Sequence, residues 1–402
     1  MTKRTYPLPL ALAVNYAAMM SLAVAVNLIP VFLTTLSHDL GGAHGLSNEQ
    51  LGRIAAVTFI GLVAGVLITG PLADRFGMKR FAILGNVLAC VGLGILGLAP
   101  NYLTVLCAVA VLGFGAGALD MVLSPIVCAL QPERRTAAMN WLHSFYCVGA
   151  LLTVFVSTLA LRYGLGWRAL ALWMMVLPAL VVVGFIGMHV PPLIAVGQQR
   201  TRGRELCMTP YFLAALAAIF LAGSTELGIA QWLPAYVERS LQYSKWTGGM
   251  ALLAFYVAMT LARMLAGLLG KYVRPFTLMA WCCWASVVLF LLACFSPWHM
   301  LALLASVAVG FTGSCLWPSL LGVTADRFPQ GGASMFALLG ATGNVGGIFM
   351  PWIVGLIADH AALKLGIATS TLCPLCMAFI LLWMRKEGKR GKSIENNTVL
   401  VS

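Results

Sequence analysis

Apolar residues in this chain neither alternate nor recur as a narrow stripe; they run on in long blocks separated by short polar joints. Twelve blocks are legible, over 8–36, 50–72, 80–99, 102–129, 136–161, 168–189, 210–238, 247–270, 276–295, 299–323, 333–358 and 364–384. Crossing a hydrocarbon core of about 30 Å takes roughly 20 helical residues, which each block supplies. A membrane β-strand would instead be about ten residues of alternating polarity. The pattern predicts an all-α membrane protein of twelve transmembrane helices and leaves no stretch for a separate soluble domain.

Composition agrees. With 61% hydrophobic and 9% charged residues over 402 positions, the chain has too little polar surface to cover a soluble globule. The lipid bilayer is its expected partner. A net charge of +13 could suggest nucleic acid, but the basic residues sit between apolar blocks, the arrangement that orients membrane proteins, so no nucleic-acid partner is expected. If the N-terminus is cytoplasmic, eighteen of the 25 basic residues face inside: Lys3, Arg4, Arg75, Lys79, Arg80, Arg134, Arg135, Arg200, Arg202, Arg204, Lys271, Arg274, Arg327, Arg385, Lys386, Lys389, Arg390 and Lys392. Arg53, Arg162, Arg168, Arg239, Lys245 and Lys364 face outside, and Arg263 lies within the eighth span. The expected location is the cell (inner) membrane with both termini cytoplasmic.

The first apolar run is too long for the core of a cleavable signal and is read as helix one. Ten of the eleven cysteines lie in spans and Cys207 in a polar joint, so no disulfide framework is implied. The redox-like spacing of Cys373 and Cys376 is read as packing. There is no nucleophile–base–acid set, no metal-spaced His/Cys cluster and no phosphate loop. Enzyme chemistry and ATP-driven pumping are therefore not expected, nor is a cofactor other than a coupling proton.

The sequence PPLIAVGQQRTRGREL after His189 has no periodic apolar face. It divides the chain into an N-terminal six-helix bundle (1–189), a cytoplasmic linker (190–209), a C-terminal six-helix bundle (210–384) and a basic cytoplasmic tail (385–402). Self-similarity supports this division. GFGAGALD from Gly113 lies over GFTGSCLW from Gly310, in helices four and ten, and NLIP ending at Pro30 matches QWLP ending at Pro234. Two pseudo-symmetric halves are how many transporters place a site near the bilayer midplane.

The joint between helices two and three reads Gly70-Pro-Leu-Ala-Asp-Arg-Phe-Gly-Met-Lys-Arg80. Its glycines allow a tight turn, and Asp74, Arg75, Lys79 and Arg80 supply charges able to pair across a cytoplasmic mouth. The string resembles the signature loop of the major facilitator superfamily, departing at Met78, where a basic residue is usual. That resemblance implies the major facilitator fold and a gating role for Gly70, Asp74, Arg75, Gly77, Lys79 and Arg80. It also implies that Asp74 lies near the N-terminus of helix eleven, where a helix dipole favours a carboxylate.

A narrower likeness follows from Leu119-Asp-Met-Val-Leu-Ser-Pro125, Asn140-Trp-Leu-His143 through Ala150, Gly223-Ser-Thr-Glu226 with Trp232, and Trp317-Pro318. These resemble the fucose/galactose/glucose proton-symporter branch, in which helix four carries an acid five positions before a proline, as Asp120 precedes Pro125. The chain departs from that branch in helix one, which has Val26 and Asn27 before Pro30 and no acid.

Asp120 and Glu226 are the two acids deep in spans. Each, ionised at a helix centre, opposes insertion by roughly 2.5–3.5 kcal/mol. A carboxylate can lower that cost by facing water, by hydrogen bonding, or by staying protonated, and the last also permits proton uptake on one side and release on the other. Asp120, Glu226 and His143 are the candidate proton-coupling residues; either acid could instead be interhelical glue, and His143 could bind substrate or be a packed histidine satisfied by a neighbour. Gly113, Gly117, Asp120 and Ser124 share one small, polar helical face, and Asn140, His143 and Cys147 share another. Asn27, Asn140, Gln231, Trp232, Trp317 and Asn344 are candidate substrate ligands, since sugars need amide-type partners and an indole face. Arg263, about two turns from a helix end, is expected to snorkel. GATGNVGG in helix eleven is expected to be a close-packing segment. The function expected is secondary active import of a small-molecule solute, a sugar, with protons, by a monomer. A proton-coupled exporter of drugs or metabolites and a non-transporting receptor or scaffold are the alternatives.

Overall fold

The computed structural model describes residues 7–41, 45–46, 48–191, 201, 203–270 and 272–399. Lys3, Arg4, Arg200, Arg202 and Lys271 of the charge census lie outside these residues, as does most of the expected linker. The described chain is helical throughout: α1 (Leu8–Gly41), α2 (Asn48–Phe76), α3 (Met78–Gly97), α4 (Tyr102–Leu130), α5 (Arg135–Arg162), α6 (Trp167–Met174), α7 (Val176–Gly187), α8 (Gly203–Cys207), α9 (Pro210–Ala230), α10 (Leu233–Arg239), α11 (Lys245–Leu269), α12 (Pro275–Phe295), α13 (His299–Gly313), α14 (Leu316–Arg327), α15 (Gly332–His360), α16 (Leu363–Thr369) and α17 (Leu372–Val399). Among the described residues, twelve stretches are long and apolar enough to cross a membrane, from Leu8–Ile29 to Leu363–Glu387, in the places read from the sequence. Helix α17 runs on past the last span into the basic tail.

Four spans consist of two helices, and one local cause serves all four. Proline has no N–H to give the carbonyl four residues earlier. Pro178, Pro234, Pro318 and Pro374 therefore cannot donate to the carbonyls of Met174, Ala230, Ser314 and Ser370, and that of Ser370 accepts instead from Cys373 N at 3.1 Å. The chain turns at Met175, at Gln231–Trp232, at Ser314–Cys315 and at Ser370–Thr371. Each proline then sits in the first turn of the next helix, where a missing N–H costs least. Pro71, Pro125 and Pro351 lie inside unbroken α2, α4 and α15, so a proline permits a break without forcing one. The paired segments of the internal repeat thus differ: α4 runs straight through Asp120, whereas its counterpart breaks at Ser314.

The chain forms two compact units. Unit 1 comprises 1–132, 145–200 and 332–337. Its core is α4, with Leu112, Leu119 and Ile126 fully buried. Glycine brings neighbouring backbones close: a Cβ on Gly113 would lie 2.2 Å from the Thr58 carbonyl of α2, and one on Gly117 only 2.0 Å from that of Leu62. Elsewhere in unit 1, the Trp167 indole donates to Asp39 at 2.8 Å, while Arg168 Nε donates to the Ala99 carbonyl at 2.9 Å and its guanidinium covers the Trp167 ring.

Unit 2 comprises 133–144, 201–331 and 338–402, so it includes the first turns of α5. Helices α9 and α15 touch backbone to backbone, since a Cβ on Gly346 would lie 2.0 Å from the Phe220 carbonyl and one on Gly223 would lie 2.3 Å from that of Gly343. Ser224 Oγ donates to the Gly346 carbonyl at 3.0 Å across the same seam. The glycine-rich segment of helix eleven is the close-packing element expected. The start of α5 lies as tightly on α14, where Gly322 faces the Thr136 backbone and Arg135 Nη1 donates to the Ala325 carbonyl at 2.6 Å.

Candidate functional site

In unit 2, Arg263 draws together Glu226, Ser314 and His143. Its side chain, on α11, is 4% exposed, and Nη2 donates to Glu226 Oε2 of α9 at 2.7 Å in a salt bridge. Nε donates to the Ser314 carbonyl at 3.0 Å, and Nη1 to the His143 carbonyl of α5 at 3.2 Å. The Ser314 carbonyl is the one that Pro318 deprives of its helical donor, so the guanidinium satisfies a backbone group that the broken helix exposes. Arg263 therefore does not snorkel. A guanidinium keeps its charge and has five N–H donors in a fixed fork, so it turns inward where a carboxylate and two backbone carbonyls, one of them denied its helical donor by Pro318, can accept them.

This geometry also shows how Glu226 is kept in a span: an opposite charge lies within hydrogen-bonding distance. Next to it on α9, Thr225 is buried and bonds back to the Leu221 carbonyl at 2.7 Å. His143, 6% exposed, reaches the cluster through its backbone.

One turn earlier on α5, Asn140 is fully buried, and its Nδ2 donates to Ser319 Oγ of α14 at 2.9 Å and to the Thr136 carbonyl at 3.0 Å. Trp317 wedges between α9 and α15: a Cβ on Gly343 would lie 2.3 Å from its ring, and one on Gly223 would lie 3.0 Å away. Trp232, in the α9–α10 break, donates its indole N–H to the Pro351 carbonyl at 2.9 Å and lies over Gly355. Gln231 beside it is exposed, and Asn344 donates back to the Gly340 carbonyl of its own helix at 3.0 Å.

In unit 1, Asn27 donates to the Ala23 carbonyl at 2.9 Å and to the Tyr146 hydroxyl at 3.3 Å. Asp120 is half-buried on α4. Of the small face it shares, Gly113 and Gly117 are given to the α2 seam, and Ser124 is buried. Asp74 accepts the first free amides of α15, Oδ1 from Ala333 N at 2.6 Å and Oδ2 from Ser334 N at 2.9 Å, with the Ser334 hydroxyl also donating at 2.5 Å. It lies where the signature loop implied, at a helix N-terminus whose unsatisfied N–H groups and dipole favour a carboxylate. Gly70 allows the approach, since a Cβ there would lie 2.5 Å from that of Ala337. Gly77 turns the chain at φ 88°, a value that glycine adopts readily, and Lys79 Nζ caps the end of α7 on the Ile186 carbonyl at 2.8 Å. Arg75, exposed, lies over the adjacent Phe76 ring, and Arg80 is exposed.

Comparison with known proteins decides the family. The Major Facilitator Superfamily matches this chain over residues 14–283 and 239–399. The chain belongs to that superfamily. As a major facilitator it is an integral multi-pass membrane protein and a secondary transporter. It is 26% identical to the putative niacin/nicotinamide transporter NiaP of Bacillus subtilis, over 86% of this chain and 88% of that protein. It is also 26% identical to the cis,cis-muconate transport protein of Acinetobacter baylyi, over 89% and 87%. Among solved structures, the E. coli fucose:proton symporter FucP superposes with a TM-score of 0.81 at 18% identity, covering 95% of this chain and 99% of that one. This last likeness shows the fold.

Four residues that matter here escaped sequence reasoning: Arg263 in its inward role, Ser314, Ser319 and Tyr146. Two signals point to the first two. Arg263 is the one basic residue placed inside a span, and Pro318 marks the Ser314 carbonyl as needing a donor from elsewhere.

Proposed function

We propose that this major facilitator carries a small polar solute together with protons, importing it by alternating access. The observation that carries the proposal is the Glu226–Arg263 pair, a carboxylate and a guanidinium set within hydrophobic spans at a proline-made helix break. Protonating Glu226 would remove the negative member and leave a buried cation facing two carbonyls. Ionising it would restore the pair. A site whose charge balance changes with one proton can favour different conformations before and after the proton leaves. Asp120 in unit 1 is proposed as a second proton-carrying group, with His143 beside the Arg263 network. Asp74 at the α15 N-terminus would serve as a cytoplasmic latch, with Gly70, Arg75, Gly77, Lys79 and Arg80 as its supporting loop.

For the solute, a sugar is the first reading, supported by the amide and indole groups Asn27, Asn140, Gln231, Trp232, Trp317 and Asn344 and by the fold likeness to a fucose:proton symporter. A small carboxylate is the second. It is supported by Arg263, which a solute carboxylate could hold in place of a protonated Glu226, and by the names of the niacin and muconate relatives. The transporter is proposed to act as a monomer in the inner membrane, with both termini cytoplasmic and no cofactor beyond the proton. A proton-coupled exporter of drugs or metabolites is the alternative.

The test is uptake by proteoliposomes of the purified chain under an imposed proton gradient, with sugars and small carboxylates offered in parallel. Gradient-driven accumulation that is lost in Asp120→Asn or Glu226→Gln while solute counterflow persists would support proton coupling. Undiminished uphill uptake in both variants would count decisively against it. If R263Q blocks carboxylate counterflow and sugars are not carried, the second reading replaces the first.

A further inference from the structure

The turn between α13 and α14 holds a second reactive feature beside the one that Arg263 uses. Cys315, the residue after Ser314, is 2% exposed, and its thiol donates to the Cys282 sulfur on α12 with the two Sγ atoms 3.3 Å apart. Cys282 is half-buried. Closing a disulfide, with an S–S length of about 2.05 Å, would ask these sulfurs to approach by about 1.3 Å. Of the two residues, one sits in a regular helix and the other in a two-residue turn, which is the part of a span with most freedom to supply that movement.

We propose that Cys282 and Cys315 are a redox-modification site for a membrane-soluble acceptor of two electrons and two protons, of the quinone or azodicarboxamide class. Both S–H bonds break and one S–S bond forms; the acceptor gains the two hydrogens, becoming a quinol or a hydrazine. The link ties the turn that leads into α14 to α12. The adjacent Ser314 carbonyl is the one held by Arg263 Nε at 3.0 Å, so the tether fixes the break on which the Arg263 network depends. Oxidation thereby arrests transport, a consequence that rests on the transport reading above.

The experiment treats the full chain in proteoliposomes with azodicarboxamide and reads it in two ways, by peptide mapping without reduction and by solute uptake. The expected result is a Cys282–Cys315 linked peptide pair, loss of most uptake, and recovery of both on adding a thiol reductant. Cys282→Ser and Cys315→Ser should each abolish the link and keep their uptake through the treatment, and Cys283→Ser should still form the link. The assignment is overturned if Cys282 and Cys315 stay free while the exposed Cys107 and Cys376 react, or if Cys283→Ser removes the link. A link that forms without changing uptake overturns the arrest. Because the mapping needs no transport, a chain that carries none of the tested solutes still decides the site, and that result would count against the transport reading alone.

Discussion

Arg263 and Glu226 meet at 2.7 Å between α11 and α9, with the guanidinium more deeply buried than the carboxylate. The two partners differ in how they can be neutralised. A glutamate deprived of its cation can take up a proton, whereas an arginine keeps its charge under all ordinary conditions. Removing the acid should therefore be the worse loss. We expect Glu226→Gln to cost about 3–5 kcal/mol of stability, the range for stranding one member of a buried pair. Arg263→Gln should cost less, and the double substitution less than the sum of the two. Thermal unfolding of the four proteins in detergent checks this order; equal losses that simply add would mean that the pair is not coupled.

Asp74 provides a separable case, because its partners are backbone amides. Both carboxylate oxygens are engaged by the first turn of α15. Asp74→Asn keeps the size, removes the charge and sets an NH2 against one donor. The expected cost is about 1–2 kcal/mol, from the lost cap and the lost charge at a helix N-terminus. Hydrogen exchange should localise it, with Ala333 and Ser334 losing protection while mid-helix amides of α15 keep theirs.

Glycine spacing makes a paired prediction. A Cβ at Gly322 would lie 2.4 Å from Cα of Thr136, and backbone cannot step aside as a flexible side chain can, whereas a Cβ at Gly249 would meet nothing within 4 Å. Gly322→Ala should destabilise by about 1–3 kcal/mol through overpacking. Gly249→Ala, in the exposed interior of α11, should stabilise by about 0.5–1 kcal/mol through helix propensity. Unfolding midpoints moving in opposite directions would check both.

These contrasts show where reading the chain succeeds and where it stops. Span lengths follow from the thickness of the apolar layer, so the twelve spans are legible in number and place, though their ends differ from those observed by up to seven residues. Prolines mark where helices can break, but Pro318 accompanies a break and Pro125 does not, because the outcome depends on what replaces the missing hydrogen bond. For Pro318 the replacement comes from Arg263, 55 positions earlier, and nothing in a helical period tells which helix lies beside which. The same blindness affects the face shared by Gly113, Gly117 and Asp120. Periodicity places them together, yet only packing reveals that the two glycines belong to the α2 seam. Asn344 looks like a free ligand in sequence and bonds to its own helix in space. Asp74 was legible because a family motif, rather than a local pattern, carried its distant partner.

Trp232 allows a direct test of one sugar ligand against a structural role. Its ring lies over Gly355 and its N–H is taken by the Pro351 carbonyl, inside a helix where proline has already removed one donor. Trp232→Phe keeps an aromatic face and removes only the N–H. If the residue ties the α9–α10 break to α15, the substitution should lower stability by about 1 kcal/mol, the usual net worth of one hydrogen bond. The order in which competing solutes inhibit counterflow should then stay unchanged. A ligand role would give the reverse: an unaltered unfolding midpoint with a changed order of preference. The exposed Gln231 next to it, which is free of such a tether, is the position where Gln231→Ala should alter solute preference without a loss of stability if this break faces the transported molecule.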